Sequence, residues 1–176
     1  ISMLAKLKEL NAETIFGSIV EEINNQGCNV LDARSFLDDH LASEGLMTLS
    51  KKKPASDILE FGINMAKNIA QLNIGQGIVI KDKTVIAVEA FEGTNKMLKR
   101  VGDLKLNNLI FFKTIKKNQD CRFDIPVFGL QTLKLLQSLK IKTAILEKNS
   151  VIIIDKAEVL KAAEKYKIQL IGFTAK

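Results

Sequence analysis

Tryptophan is absent from this chain, histidine and tyrosine occur once each, and cysteine and proline twice each. These scarcities remove whole classes of chemistry. With His40 as the only imidazole, a Ser-His-Asp triad, a Cys-His pair or a histidine-rich metal site would all have to use one residue. Cys28 and Cys121 are far apart and match no zinc spacing, so they suit a reducing compartment rather than a disulfide framework. No apolar run approaches the roughly 18–20 residues that a membrane span needs. Arginine is scarce too: Arg34, Arg100 and Arg122 are the only three among 26 basic residues. Nucleic-acid readers lean on arginine for bidentate contacts, so a nucleic-acid partner is not expected. Catalysis here is left to carboxylates, lysines and oxygen-bound metal.

What remains is an ordinary globular composition. Hydrophobic residues make up 47% and charged residues 26% of 176, enough for a core without disulfide staples. The net charge of +6 is carried by lysine. Such a field suits an anionic ligand or an acidic membrane surface, and equally a solvated lysine-rich surface. The first residue is Ile1 rather than Met, so a missing leader carries no weight.

Residues 1–40 read as a unit of their own. Ile15, Ile19 and Ile23 share one face of a helix over 12–25, and Gly27 stops it. A short strand is expected at 28–33 and helical turns at 36–41. Residues 46–55 read as a linker, with Lys51, Lys52 and Lys53 before Pro54. A helix is expected over 56–73, capped by Ser56 or Asp57, with Ile58, Phe61, Met65, Ile69 and Leu72 facing a core. The period then shortens. Residues 77–80 and 84–90 read as a hairpin whose second arm, VIAVEA, should be a buried strand. A helix at 95–101, a strand at 109–115 and a helix at 130–140 follow. A second hairpin is expected from 143–147 and 151–155, resembling the first closely enough for either a duplication or a generic hairpin pattern. A helix at 156–167 and a strand at 169–173 close the chain. The interleaving predicts an α/β layered domain, with a mixed β-sheet containing two hairpins and helices flanking it. The expected division is 1–45, 46–55 and 56–176, the first being the end of a preceding α/β domain.

Polar residues gather against this pattern in three places. Gly75, Gln76 and Gly77 let backbone approach a ligand closely, or else form a helix stop and a turn. Glu89 lies within an apolar strand and must find a partner, a lysine or a bound cation. Past it, Glu92, Gly93, Thr94 and Asn95 open a helix whose free N–H groups suit an anion, with Lys96, Lys99 and Arg100 nearby. The third place is QDCRFDIP at 119–126. In an extended chain Asp120, Arg122 and Asp124 share one side, while Cys121, Phe123 and Ile125 pin the other to the core. A straight strand holds the two acids about 13 Å apart. Sharing a metal requires a bend; without one, one acid does chemistry and the other orients Arg122. An Asp120–Arg122–Asp124 salt-bridge clasp is the structural alternative. Gly129 and Thr132 open a second helix and offer a second phosphate cradle.

Together GQ at 75–76, EGT at 92–94, Arg100, Lys113, Lys116, QDCRFDIP, and Gly129 with Thr132 resemble the LpxI-type UDP-2,3-diacylglucosamine pyrophosphatases, over about 13–172. EG at 44–45 fits the same pattern. The resemblance implies hydrolysis of UDP-2,3-diacylglucosamine to UMP and 2,3-diacylglucosamine 1-phosphate in the lipid A pathway of Gram-negative bacteria. It implies water attack at the uridine-side phosphorus, a requirement for Mg²⁺, and a Rossmann-like N-terminal domain linked to a C-terminal catalytic domain. The family's essential acid maps onto Asp120, with Asp124 as the second candidate. Substrate contacts are expected at Gly75, Gln76, Gly93, Thr94, Asn95, Arg100, Lys113, Lys116, Gln119, Arg122, Gly129 and Thr132. Metal ligands are expected among Asp120, Asp124, Glu92 and Glu89. The partners implied are a lipid-linked nucleotide sugar and a second copy of the chain, in the cytoplasm with peripheral contact to the inner membrane face. One departure is EGTN where the family reads EGTD, which favours a capping role for Asn95 or a weakened activity. The alternatives are a non-catalytic nucleotide or polyanion binding module and, less well matched, an RNA-binding domain.

Overall fold

A computed structural model of the protein describes residues 12–49 and 53–175; residues 1–11, residues 50–52 of the expected linker, and residue 176 lie outside the described residues. Helix α1 (Ala12–Asn25) and a 3-10 turn at Asp38–His40 precede the short strand β1 (Gly45–Leu46). Then come α2 (Ser56–Gln71), β2 (Gly77–Lys81), β3 (Thr84–Val88), α3 (Thr94–Asp103) and β4 (Leu109–Lys113). The chain continues through β5 (Val127–Phe128), α4 (Leu130–Ser138), β6 (Thr143–Glu147), β7 (Ile152–Ile153), α5 (Lys156–Tyr166) and β8 (Gln169–Phe173). Six strands form one mixed sheet in the order β1-β8-β6-β4-β2-β3. Strands β4, β6 and β8 run parallel, while β2 is antiparallel to both β3 and β4. The expected α/β layers and mixed sheet are therefore present.

The layers follow from residue alternation. In β4, Phe111 enters a core shared with α3, α4 and α5, and Phe112 enters the core beneath α2. Ala144 and Leu146 against Ile145, and Leu170 against Ile171, divide in the same way. Helices cover both faces, so these strands read as nearly continuous apolar runs. Within α2 the tightest contacts fall on Gly62, Ala66 and Ala70, where small residues let the helix sit close to the sheet. Ile58, Phe61, Met65 and Ile69 flank that line, while Leu72, expected on the core stripe, lies past the helix and is exposed. Among the described residues no helix is long and apolar enough to cross a membrane.

Several expectations are corrected. The second hairpin does not form. β7 leaves β6 and pairs in parallel with β5 in a separate two-stranded sheet, because β6 already has β4 and β8 on its two sides. The two segments thus share a sequence pattern but not a pairing. β3 is an edge strand, not a buried one, and ends at Val88 before Glu89. Residues 28–33 form no strand; Ala33 N–H bonds the Cys121 carbonyl at 2.8 Å and no ladder follows. A lone extended segment without a sheet edge has nowhere to place its other backbone groups. Leu46, expected in the linker, pairs with Ile171 at the sheet edge, and Met47 N–H extends the contact to the Leu170 carbonyl. Gly172 makes this possible, since a Cβ there would collide with the Ser43 carbonyl. Neither Ser56 nor Asp57 caps α2: Ala55 holds that position, and Asp57 pairs with Lys83 at 2.9 Å instead.

Candidate functional site

Parallel strands carry side chains outward at their C-terminal ends, and ligand sites in such sheets collect there. In this chain that edge gathers Lys113 at the end of β4, Glu147 at the end of β6, Gly77 opposite Lys113 on β2, and Glu89 just past β3.

Glu89 finds the lysine partner that its burial demanded. Lys113 Nζ lies 3.2 Å from one Glu89 oxygen, and the side chains are only 5% and 13% exposed. Thr94 closes the triangle: its hydroxyl donates to the other Glu89 oxygen at 2.8 Å and accepts from Lys113 Nζ at 2.7 Å. Gly75 and Gly77 make room for this assembly. A Cβ at 75 would collide with the Glu89 carbonyl, and one at 77 with the Glu89 carboxylate. The close approach foreseen at these glycines is thus made by Glu89.

The turn after Glu89 leads into α3. Its N-cap is Gly93, held at φ +78, a region that glycine enters without penalty. The capping role expected of Asn95 is not seen, because Gly93 holds that position; Thr94, the first helical residue, turns to Glu89. Asn95 instead accepts a hydrogen bond from Thr132 at the start of α4, at 3.4 Å. An Asp at 95 would offer the same acceptor, so the Asn keeps that link. Neither α3 nor α4 has a side-chain N-cap bond. Both therefore present first-turn N–H groups with no partner inside the helix. Between them opens a cleft of about 590 Å³ lined by Gly93, Thr94, Asn95, Gly129 and Thr132. Arg100, on α3, donates to Glu92 at 2.6 Å and to the Val88 carbonyl, and this bond lowers the Glu92 pKa.

The segment from 114 to 126 leaves β4 and curls. Glu147 holds its start: one carboxylate oxygen accepts from the Thr114 hydroxyl and from Ile115 N–H. Lys67 of α2 reaches both Glu147 oxygens and the Ile115 carbonyl, at 3.1, 3.0 and 2.6 Å. Farther on, the alternating row expected at 120–124 is replaced by a turn. Asp124 N–H bonds the Asp120 carbonyl at 3.2 Å. Asp120 folds back on Arg122, accepting from its backbone N–H, Nε and Nη2 at 3.1, 2.9 and 2.7 Å. An Asp that bonds the backbone two residues on makes its own turn, and this local bond prevails over the extended alternation. The clasp therefore joins Asp120 to Arg122 and leaves Asp124 out. Asp124 is exposed, and both its oxygens accept from amides, Gln76 Nε2 at 3.2 Å and Gln119 Nε2. Cys121 is buried as expected, which raises its pKa, and Phe123 stacks on Phe16 of α1 at 5.6 Å. Lys116 pairs with Glu13 of α1 and bonds Asn73.

A smaller pocket of about 220 Å³, lined by Gln76, Glu89, Lys116, Gln119 and Asp124, therefore lies against the Glu89 assembly. Through Glu89 and Thr94 it borders the larger cleft. The 120s segment and the 93–95 corner share one edge of the sheet. Among the described residues no group of three His, Cys, Asp or Glu side chains stands ready to hold a metal. Lys67, Thr114 and Glu147 were not anticipated. Glu147 carried the signal used at Glu89, an acid at the end of an apolar strand; in Lys67, inside an amphipathic helix, no such signal exists.

A family model described as the LpxI C-terminal domain matches residues 43–171. The chain is also 26% identical over 171 residues to the UDP-2,3-diacylglucosamine pyrophosphatase LpxI of Caulobacter vibrioides. That alignment covers 91% of this chain and 60% of the relative, so the chain spans about 60% of the length of the curated protein it matches.

Two outcomes follow from the geometry. Lys67→Met leaves the Glu147 carboxylate buried with no cation, and should lower the unfolding free energy by about 3 kcal/mol. Urea denaturation measures it, and a loss below experimental error would mean that the pair is dispensable. The Arg122 hydrogen bonds hold the Asp120 pKa below its ordinary value. A depressed carboxylate stabilises the turn above its unfolded pKa and loses that contribution as pH falls through the lowered one. The NMR shift of the Arg122 Nε–H should hold from neutral pH through the ordinary aspartate range and move only below it.

Proposed function

The chain belongs to the LpxI family, and from that premise we propose that it hydrolyses the pyrophosphate bond of UDP-2,3-diacylglucosamine. Water attacks the uridine-side phosphorus and forms a new P–O bond. The bond from that phosphorus to the bridging oxygen breaks, and the oxygen leaves with 2,3-diacylglucosamine 1-phosphate. UMP is the other product. We place the reaction in lipid A assembly, in the cytoplasm where the inner membrane presents its diacyl lipids.

The observation that carries this reading is the shared edge: two helix N-termini without side-chain caps open one cleft, and an exposed carboxylate, Asp124, with no cationic partner among the described residues stands in the adjoining pocket. Backbone N–H groups of α3 and α4 suit the diphosphate oxygens. Arg122 is held with its fork toward Asp120, so its position is set before substrate arrives. Asp120 is a poor proton acceptor because its pKa is depressed, so we assign it to holding Arg122. Asp124 is assigned to orienting the attacking water.

Mg²⁺ binds through one or two carboxylates together with substrate phosphate oxygens and water. The residues fit such a site at Asp124 alone, with Gln76 and Gln119 releasing its oxygens. Glu89 and Glu92 are engaged by Lys113 and Arg100. When bound, the ion would neutralise charge on the phosphates.

Incubation of the chain with Mg²⁺ and UDP-2,3-diacylglucosamine should release UMP. Chelation with EDTA should stop the release. Asp124→Asn should lower turnover by roughly 10²–10⁴-fold, the range for a lost proton-transfer or water-positioning group. Release of UDP in place of UMP would put cleavage on the sugar side and refute the assignment. No hydrolysis by a chain that still binds the substrate would favour the binding-module reading.

A further inference from the structure

At the catalytic edge most basic side chains are matched by acids: Lys67, Arg100, Lys113, Lys116 and Arg122 each pair with a carboxylate, and of the lysines lining the two pockets there only Lys96 has none among the described residues. The opposite edge differs. There the N-terminal ends of β4, β6 and β8 and the β2–β3 turn surround a cleft of about 470 Å³. Lys53, Lys140, Lys142 and Lys167 line it, with Asp82 as the one acid in the lining. Among the described residues none of these four lysines has a carboxylate within ion-pair distance. The five-residue strands separate this cleft from the first site by about 16 Å.

The backbone sharpens the point. Lys140 and Lys167 follow α4 and α5 with φ +56 each, at positions where helices commonly end in glycine. Asn108 in the same lining also has positive φ. A lysine in the left-handed region carries a conformational penalty that glycine avoids. Lys142 donates to the Tyr166 carbonyl at 3.3 Å, while Lys140 and Lys167 make no side-chain hydrogen bond among the described residues. Lys105 follows α3 in the same way, with φ +51, outside this lining; what is particular to the cleft is that two such lysines converge on it with Lys53 and Lys142. Charges of one sign converging on a concave surface raise the local concentration of the opposite ion.

We propose that this cleft is a second anion site, separate from the catalytic edge, that takes a phosphate-bearing anion. Lysine binds phosphate as a point charge and needs no fixed fork geometry, which suits four flexible stems around one group. The volume exceeds that of a lone phosphate. The same chemistry is offered by a free diphosphate and by the headgroup of an anionic phospholipid.

The test uses the full chain and two probes, inorganic pyrophosphate and lipid vesicles. Lysine acetylation read by mass spectrometry reports which ammonium groups a probe covers. Pyrophosphate should protect Lys140 and Lys167, and the double variant Lys140→Gly, Lys167→Gly should bind roughly tenfold more weakly at this site. The same variant should unfold at a higher temperature, because glycine relieves both left-handed positions, and should release UMP at the parent rate. Lys53→Gln, in a loop, repeats the binding measurement without touching a helix end. Protection by phosphatidylglycerol-containing vesicles, but not by phosphatidylcholine vesicles or pyrophosphate, would assign the site to a lipid headgroup. Absence of protection by every probe would overturn the proposal. So would a double variant that gains stability yet binds as tightly as the parent, since the lysines would then serve only the helix ends.

Discussion

Glu89 and Lys113 meet out of water at the edge of the sheet, and the surrounding loops are arranged to keep them together. Each charge alone would be costly to bury, and together with the Thr94 hydroxyl they satisfy one another. The constraint reaches outward through covalent neighbours. Gly75 and Gly77 must lack side chains because Glu89 occupies that space. Thr94 must face inward, which leaves Gly93 as the N-cap of α3 and the helix without a side-chain cap. Lys113 ends β4, so the segment that carries Asp120 and Asp124 departs from the same point.

A second buried pair, Lys67 with Glu147, holds that departing segment against α2 and β6. Beyond it the segment is gripped from outside by the N-terminal part of the chain. Phe16 stacks on Phe123, Glu13 pairs with Lys116, and Ala33 bonds Cys121. The loop bearing the candidate acids therefore lies between the sheet and the helix α1. Its shape depends on both, and motion of α1 would be felt at Asp120 and Asp124. The two buried pairs fix the edge of the sheet, and α1 fixes the loop that crosses it.

How much of this was legible in the sequence depended on whether the signal was local. Helices with long periodic stripes and strands made of apolar runs, such as 109–113 and 143–147, were readable because burial on two faces leaves a strong pattern. The hairpin at 143–155 was misread because pattern shows that two segments are extended but not which neighbours they take. Residues 28–33 looked like a strand for the same reason. In the site, Glu89 was legible as an acid inside an apolar run, and its lysine partner was foreseen as one of two options. A clasp of Arg122 by both acids was among the arrangements expected, yet the turn that leaves Asp124 out of it was not, because an Asx bond competes with extension on nearly equal terms. Lys67 was invisible: its partner lies 80 positions away, and nothing in an amphipathic helix distinguishes a lysine that reaches inward from one that faces solvent.

The central claim is that the 89–94 corner and the 114–126 segment form one active centre joined through the Glu89–Lys113 pair. A double-mutant cycle on UMP release with Glu89→Gln, Lys113→Met and both together tests it most directly. One centre predicts that each single change lowers turnover and that the double loses little more than the worse single. Losses that simply multiply would mean that the two regions act independently, and would contradict the account.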